Sequence, residues 1–537
     1  MDMRRVYVFL ALAGLLFAGC SHEEGAPDVR RLIFNCDGTD LLGNFMFNRR
    51  PLSLADVNAY VDAYADTQVT TFMMCSGSHN LYYRSSFCRI VGEGKEDAAG
   101  GAYDDPENVA VYYQNYLNVE REEMDVIEAV LQRAYSRNME AFISYRMNDL
   151  HFNAPDQSPL SYSDFWAEHP EYWTNEDTGW HSEGAFDFAH PEVRAFKTGI
   201  IGEQLDRYGH LLDGFELDFM RFIVYFKSGE GEKNAPLMTG LMKDVKEKID
   251  AVSARTGRKI YLSARVPVDM DFALQKGLDV REWVRLGLVD FLTVGVHWCG
   301  NTAMPVIKFR RDLRREDIPI YATIDDGGYR PRENYSHAHY RGAASHLYAQ
   351  GADGVYLFNY FMNSEYASDV EAGSQALRTK TPDLLHELGS PQTLRRRNKI
   401  FALDDGASEA YGYRPDTPLP LDVTTDRPAT ADVFIGDFLE ADVPGEVVLF
   451  LRTARPVSLE LTVNQTVVDD LHPEYITRLD RGNNLSGTET VYAFRFPAAA
   501  LKRGNNAVGI RSTDGDVKVK RIEIALIYGE VQKHGYF

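Results

Sequence analysis

Between about residues 30 and 385 the sequence repeats one alternation: a short β-type apolar run, then a longer amphipathic stretch. The runs Leu32–Cys36, Val69–Met74, Ala141–Met147, Gly214–Phe219, Lys259–Val266, Phe291–His297, Ile318–Ile324 and Gly354–Phe358 read as strands. Helical patterns lie between them, among them Leu54–Tyr64 behind an N-capping Ser53, Glu122–Arg137 and Leu237–Ala254. Strands separated by helices run parallel, and eight such units in order close into a (β/α)8 TIM barrel over residues 30–390. An open doubly wound sheet is the competing arrangement. No Gly-rich phosphate loop follows the first strand, which weighs against it.

The second half changes character. Residues 391–431 carry Arg395-Arg-Arg397 and the Pro-rich run Pro415–Pro420, and read as a connector. From 432 to 537 the strands are short and turn-punctuated: Val447–Leu451, Leu459–Val463, Val491–Phe496, Ala507–Ile510 and Ile522–Tyr528, with Arg503-Gly-Asn-Asn506 as a hairpin turn. This segment is expected to be an all-β sandwich, either sugar-binding or simply packed on the barrel.

A formal charge of −22 over 537 residues argues against nucleic acid as partner, because a phosphate backbone rewards clustered Lys and Arg. At the N-terminus, Arg4 and Arg5 precede an apolar run, Val6–Phe17, too short for a typical membrane span. It ends in Phe-Ala-Gly-Cys20, which resembles a bacterial lipobox with Phe17 where Leu is preferred. Residues 1–20 are therefore expected to be a lipoprotein signal peptide, with Cys20 lipidated and the protein anchored at the outer membrane, on its periplasmic face or at the cell surface. Ser21-His-Glu-Glu24 resembles a surface-export signal. Cys36, Cys75, Cys88 and Cys299 form no CxxC or zinc spacing and read as buried thiols, with a disulfide open to them in an oxidising compartment.

Active sites of such barrels sit at the C-terminal strand ends. In Asp213-Gly-Phe-Glu-Leu-Asp-Phe-Met-Arg221, Phe215, Leu217 and Phe219 share one face and Glu216 and Asp218 the other, because strand side chains alternate with period two. The same alternation aims Asn35 and Asp37 inward from strand one, Ser144, Arg146 and Asn148 from strand three, and Tyr261, Ser263 and Arg265 from strand five. Strand six aims Thr293 and His297, strand seven Tyr321, Thr323 and Asp325, and strand eight Tyr356, Phe358 and Tyr360. Arg146 and Arg265 are expected to bracket Glu216 and Asp218 and hold both ionised, which suits a nucleophile or base. The proton donor then falls to Asp325 or Asp326, with Asp149, Asp269 and His297 behind them.

Two carboxyl groups across an aromatic-lined mouth are what glycoside hydrolysis requires. Asp218, Asp325, Asp326 and Glu216 are the candidate catalytic residues. Asn35, Asp37, Arg146, Asn148, Asp149, Arg265, His297, Trp298, Asn359 and Tyr360 are the candidate sugar contacts, with Trp166, Trp173, Trp180 and Trp283 as further aromatics. The loop from His151 to Phe188 is long enough to wall the cleft, and the arginines leave room for an acidic sugar. Asp37 and Asn35 offer too few oxygen ligands for a hard cation, so neither metal nor cofactor is expected.

The stretches Phe142–His151, Gly184–Arg194, Asp213–Arg221 and Gly354–Tyr360 together resemble the glycosyl-hydrolase-like barrels of bacterial polysaccharide-degrading systems, over most of residues 30–400. The strand-four acid also resembles that of retaining α-glycosidase barrels, whose Asp at this strand end is the nucleophile. The resemblance gives that role to Asp218. The carry-over departs at the acid: His297-Trp-Cys299 ends strand six without a carboxylate, and Arg265 stands where some such families place Glu. Two other classes compete: a non-catalytic surface glycan-binding protein, and a carbohydrate esterase or deacetylase using His297 and Asp325, against which the lack of a Gly-x-Ser-x-Gly elbow counts.

Overall fold

The structure is a computed structural model. It describes residues 30–47, 49–93, 109–150, 163–176, 182–296, 304–315, 317–325, 336–362, 381–404, 417–475 and 488–529. Eight parallel strands form a closed barrel in chain order: β1 Leu32–Cys36, β2 Val69–Cys75, β3 Glu140–Arg146, β4 Gly214–Asp218, β5 Tyr261–Pro267, β6 Phe291–Gly295, β7 Ile320–Ile324 and β8 Gly354–Phe358. Closure is set by β1, which pairs with both β2 and β8. Helices lie between the strands, so the outward residues Phe34, Phe72, Ile143, Phe215, Leu217, Leu262 and Val355 are buried against them.

Inside the barrel, Ile33, Met73, Phe142, Phe291, Tyr321, Tyr356 and Phe358 pack into one apolar cluster. The N-terminal end is plugged by Arg31, which donates to Glu140 at 2.9 and 2.6 Å and to the Tyr321 hydroxyl at 2.9 Å. The barrel interior is thus a packed core, and chemistry is confined to the other end.

Local signals explain the element ends. Ser53 caps the helix Leu54–Asp62 through a reciprocal capping box with Asp56. The pattern read as Glu122–Arg137 begins later, at Val126. Asp125 caps the helix Val126–Ser136 by accepting from the amides of Ile127 and Glu128 at 2.9 and 3.1 Å. The helix Gly231–Thr256 starts six residues ahead of the expected Leu237 and carries Pro236 inside its early turns, where sequence reasoning places a break.

The C-terminal region is a two-sheet arrangement. One sheet runs β10–β18–β12–β16–β15, with β9 also paired to β18; the other runs β11–β17–β13–β14. The strands are β9 Lys399–Asp404, β10 Leu421–Val423, β11 Ala429–Ile435, β12 Glu446–Thr453, β13 Leu459–Val463, β14 Thr466–Val468, β15 Asp470–Leu471, β16 Thr490–Arg495, β17 Gly504–Ser512 and β18 Val517–Ile527. Two expectations are corrected. β9, β10 and the start of β11 fall inside the segment read as connector, so the β-region begins near 399. Arg503-Gly-Asn-Asn506 is no hairpin turn: Gly504 opens β17, whose Asn506 pairs with Val433 of β11.

Both faces of the first sheet are covered. Phe401, Leu449, Leu451, Ile522 and Ile524 face the second sheet, while Ile400, Ala402, Val448, Phe450, Ala493 and Ala525 form a separate cluster with Ala338 of the barrel helix His337–Ala349. This helix approaches β9 so closely that a Cβ on Gly342 would lie 1.9 Å from the Ile400 carbonyl oxygen. Polar pins flank the contact. His339 Nε2 meets Glu523 Oε1 at 3.1 Å, buried Lys399 meets Asp437 at 2.9 Å, and Arg395 donates to Asp442 at 2.6 Å. The sandwich therefore completes the barrel's burial of this helix.

Two glycines in helices test this packing. Gly342→Ala is expected to lower the melting temperature by several degrees, because backbone must shift. Gly240→Ala, where nothing lies within 4 Å of the added methyl, is expected to raise stability by up to about 1 kcal/mol through helix propensity. Thermal unfolding of both variants checks the pair; equal effects would show that the helix does not pack as described.

Candidate active site at the mouth of the barrel

Register builds the site around β4. Glu216 lies level with Ser144 of β3 and Ser263 of β5, and Asp218 lies level with Arg146 and Arg265. The inner layer is made of hydroxyls. Ser144 and Tyr356 each donate to Glu216 Oε1 at 2.8 Å, and Thr293 donates to Oε2 at 3.2 Å. Glu216 is fully buried. Burial first, and then the charge of Asp218, push its carboxyl up to about 7 from the usual 4.5, against the weaker pull of Arg265 and the hydroxyls.

The outer layer is ionic. Arg265 is fully buried and meets Asp218 Oδ2 at 3.2 Å with one terminal nitrogen and Asp325 Oδ2 at 3.6 Å with the other. Its guanidinium lies over the Phe358 ring at 4.0 Å. Asp218 Oδ1 also accepts the amide of Met220 at 2.8 Å, which ties the carboxylate to the loop that leaves the strand. Asp218 and Asp325 thus share one cation.

A second cluster occupies the β1–β3 side. Arg146 meets Asp149 at 3.0 Å and Asp37 at 3.7 Å. Asp37 accepts from Thr39 and, at 3.1 Å, from the Asn359 side chain. Gly38 takes φ +86°, and a Cβ there would strike the Tyr82 ring at 2.3 Å, so glycine lets Tyr82 close against this turn. The charge of Arg146 and Asp37 is felt at the Tyr82 hydroxyl and at the buried Cys75 thiol, which burial pushes up to about 11. His79 donates from Nε2 to the Asp149 carbonyl at 3.0 Å, and burial holds its ring well below its usual value, hence neutral.

The arrangement corrects several expectations. Arg146 does not bracket the acidic pair: Asp37 and Asp149 take its charge, and Asp218 pairs with Arg265. Glu216 is consequently not held ionised. Asn148 is not a sugar contact but a brace, fully buried and donating to the carbonyls of Val224 and Phe186 at 2.6 and 3.3 Å. Tyr360 is likewise core, its hydroxyl donating to Thr381 at 3.0 Å. Trp166 stacks on Trp173 at 4.3 Å, and Trp283 is fully buried, so these aromatics are packing. Arg146 and Arg265 are each shared by two carboxylates. Asn35, Asp37, Asp149 and Asn359 do lie with these clusters. Cys36, Cys75 and Cys88 are free thiols. Asp326, His297, Trp298, Trp180, Cys20 and Cys299 lie outside the described residues, as does most of the first part of the 151–188 loop. Among the described residues no His, Cys, Asp and Glu group is arranged to hold a metal ion.

Sequence reasoning missed Cys75, His79 and Tyr82, all from the end of β2 and its loop. The signal was Gly77, at φ +108°, where the chain turns back so that Leu81 pairs with Gly77. It also missed Lys197, a fully buried amine that donates to the Ser78 carbonyl at 3.1 Å and the Tyr145 hydroxyl at 3.2 Å behind that loop. Burial lowers this amine to about 7.

No protein-family model and no curated protein matches the chain. Solved structures with a similar course include a maltogenic α-amylase from Thermotoga neapolitana (8% identity, 89% of this chain and 98% of that one, TM-score 0.35). They also include a family GH18 chitinase from Chromobacterium violaceum (11%, 93% and 89%, TM-score 0.34). A third is a cycloisomaltooligosaccharide glucanotransferase from Paenibacillus sp. (10% identity, 92% of this chain, TM-score 0.33), of whose length the match spans only 57%. At these scores the strand order itself, not the superposition, establishes the fold.

Glu216 gives a test of the inner layer. Its proton is retained in the fold at pH values where the unfolded chain has released it. The cost is absent below about pH 4.5, grows as pH rises to about 7, and is constant above that. Glu216→Gln keeps the shape and removes the charge. It is expected to match wild type near pH 4 and to melt a few °C higher at pH 8, on the scale of roughly 2–4 °C per kcal/mol. A difference independent of pH would show that Glu216 is ionised in the fold.

Proposed function

We propose that the protein is an exported, lipid-anchored glycoside hydrolase acting on a poly- or oligosaccharide. The observation that carries this reading is the pair of buried carboxylates, Asp218 and Asp325, held at the C-terminal mouth of a closed parallel barrel by one guanidinium. Asp218 is the nucleophile or base; its contact with Arg265, at 3.2 Å against 3.6 Å for Asp325, is the shorter of the two and suits the group that stays ionised. The acid is Asp325 or its chain neighbour Asp326. Glu216 lies one layer deeper and sets the charge beneath Asp218. Asp37 and Arg146, with Asn35, Asp149 and Asn359 around them, hold sugar hydroxyls. The Cys20 anchor supports a place at the outer membrane, where long glycans are met.

One observation favours a second reading. Arg265 contacts both acids, the arrangement of an ion-pair network that need do no chemistry. A non-catalytic glycan-binding barrel would look the same.

Soluble protein lacking residues 1–20 is expected to release fragments from at least one glycan in a panel of plant, algal and host polysaccharides, read by mass spectrometry. Asp218→Asn is expected to release at least about a hundredfold less. Equal turnover by Asp218→Asn would remove Asp218 from the chemistry. Unchanged glycan affinity without fragments from either protein would favour the binding reading.

A further inference from the structure

The loop that leaves Asp218 has a second face. A small cleft of about 60 Å³, room for one compact polar group, lies between this loop, the chain at Thr174–Glu176 and the end of the helix Met270–Gln275. Tyr225 and Phe226 supply apolar wall, and Lys227, Gly231 and Lys276 supply its positive side. Lys276 is the unusual member. It is half-buried, stands 5.3 Å from the Phe272 ring centroid, and has no carboxylate within ion-pair distance among the described residues. Burial alone lowers its pKa, with no acid to oppose the shift. Most buried or half-buried cations elsewhere in the described barrel, such as Arg31, Arg146, Arg265 and Arg341, meet an acid. The one carboxylate in the cleft, Glu176, is engaged by the Ser228 amide at 2.6 Å and so ties the loop down. At Gly231 the cleft meets the start of a 26-residue helix whose N-cap residue, Glu230, makes no capping hydrogen bond and pairs instead with Lys233.

We infer that this cleft is a subsite for an anionic substituent, a carboxylate or a sulfate ester, on a sugar unit neighbouring the one held at the barrel mouth, with Lys276 as its counter-charge. The inference rests on the glycosidase reading for its ligand class. A half-buried ammonium with no carboxylate partner among the described residues gains most from an anion that shares its partial desolvation, and a space this small fits the substituent itself while the ring that bears it stays outside.

The test is calorimetric titration with trigalacturonic acid, a κ-carrageenan tetrasaccharide and cellotetraose, which carry carboxylate, sulfate and no charge. Asp218→Asn prevents turnover, and wild type is titrated beside it in case that variant folds poorly. At least one anionic sugar is expected to bind, more weakly as salt rises. Lys276→Met and Lys276→Gln are each expected to weaken it at least tenfold, with melting temperature and any cellotetraose affinity unchanged. The anion that binds identifies the substituent. Equal anionic affinity in the Lys276 variants, or no binding of either anionic sugar, overturns the subsite. Lys276-dependent binding in a protein that releases no fragments leaves the subsite standing while hydrolysis falls.

Discussion

A fully buried guanidinium fixes the mouth of this barrel. Arg265 has no access to water, and a charge removed from water is tolerated only beside opposite charge. Asp218 and Asp325 supply it from β4 and the end of β7, and Phe358 supplies a ring face. Once Arg265 is placed, the two acids are placed with it, on opposite sides of one planar group. Burial, and then the charge of Asp218, outweigh the pull of the same cation on Glu216 below, whose carboxyl is pushed up to about 7 inside a shell of hydroxyls. The ionic layer over a hydroxyl layer over an apolar layer follows from the strand register alone.

The closed barrel was legible because its signal is repeated: β1 and β8 have the ends that alternation assigns, and the remaining strands differ by a residue or two. The inward direction of Glu216, Asp218, Ser144 and Arg265 was legible for the same reason. What alternation cannot reach is side-chain pairing. Arg146 and Arg265 flank Asp218 symmetrically in register, yet Asp149 and Asp37 draw Arg146 away, and both lie just past strand ends. Asn148 and Tyr360 fail as site residues for a related cause. Beyond the last strand residue the chain turns, and the period-two rule stops applying.

The β-region was misjudged at its start, since Arg395-Arg-Arg397 and the prolines near 415–420 imitate a linker. Their physical roles differ: Arg395 and Arg396 converge on the buried Asp442, and Lys399 is fully buried against Asp437. These charges staple β9 and the chain entering it to the segment between β11 and β12. With both faces of its first sheet occupied, the sandwich behaves as a structural partner of the helix His337–Ala349 on that side.

The most direct test of the account is a crystal structure of Asp218→Asn with a bound oligosaccharide from a glycan the protein recognises. The account expects a sugar ring in the mouth, with residue 218 facing its anomeric carbon, the glycosidic oxygen within hydrogen-bonding reach of Asp325 or Asp326, and hydroxyls on Asp37 and Arg146. A sugar bound elsewhere on the molecule, with Arg265 still joining residues 218 and 325 across a mouth no ring enters, would contradict it.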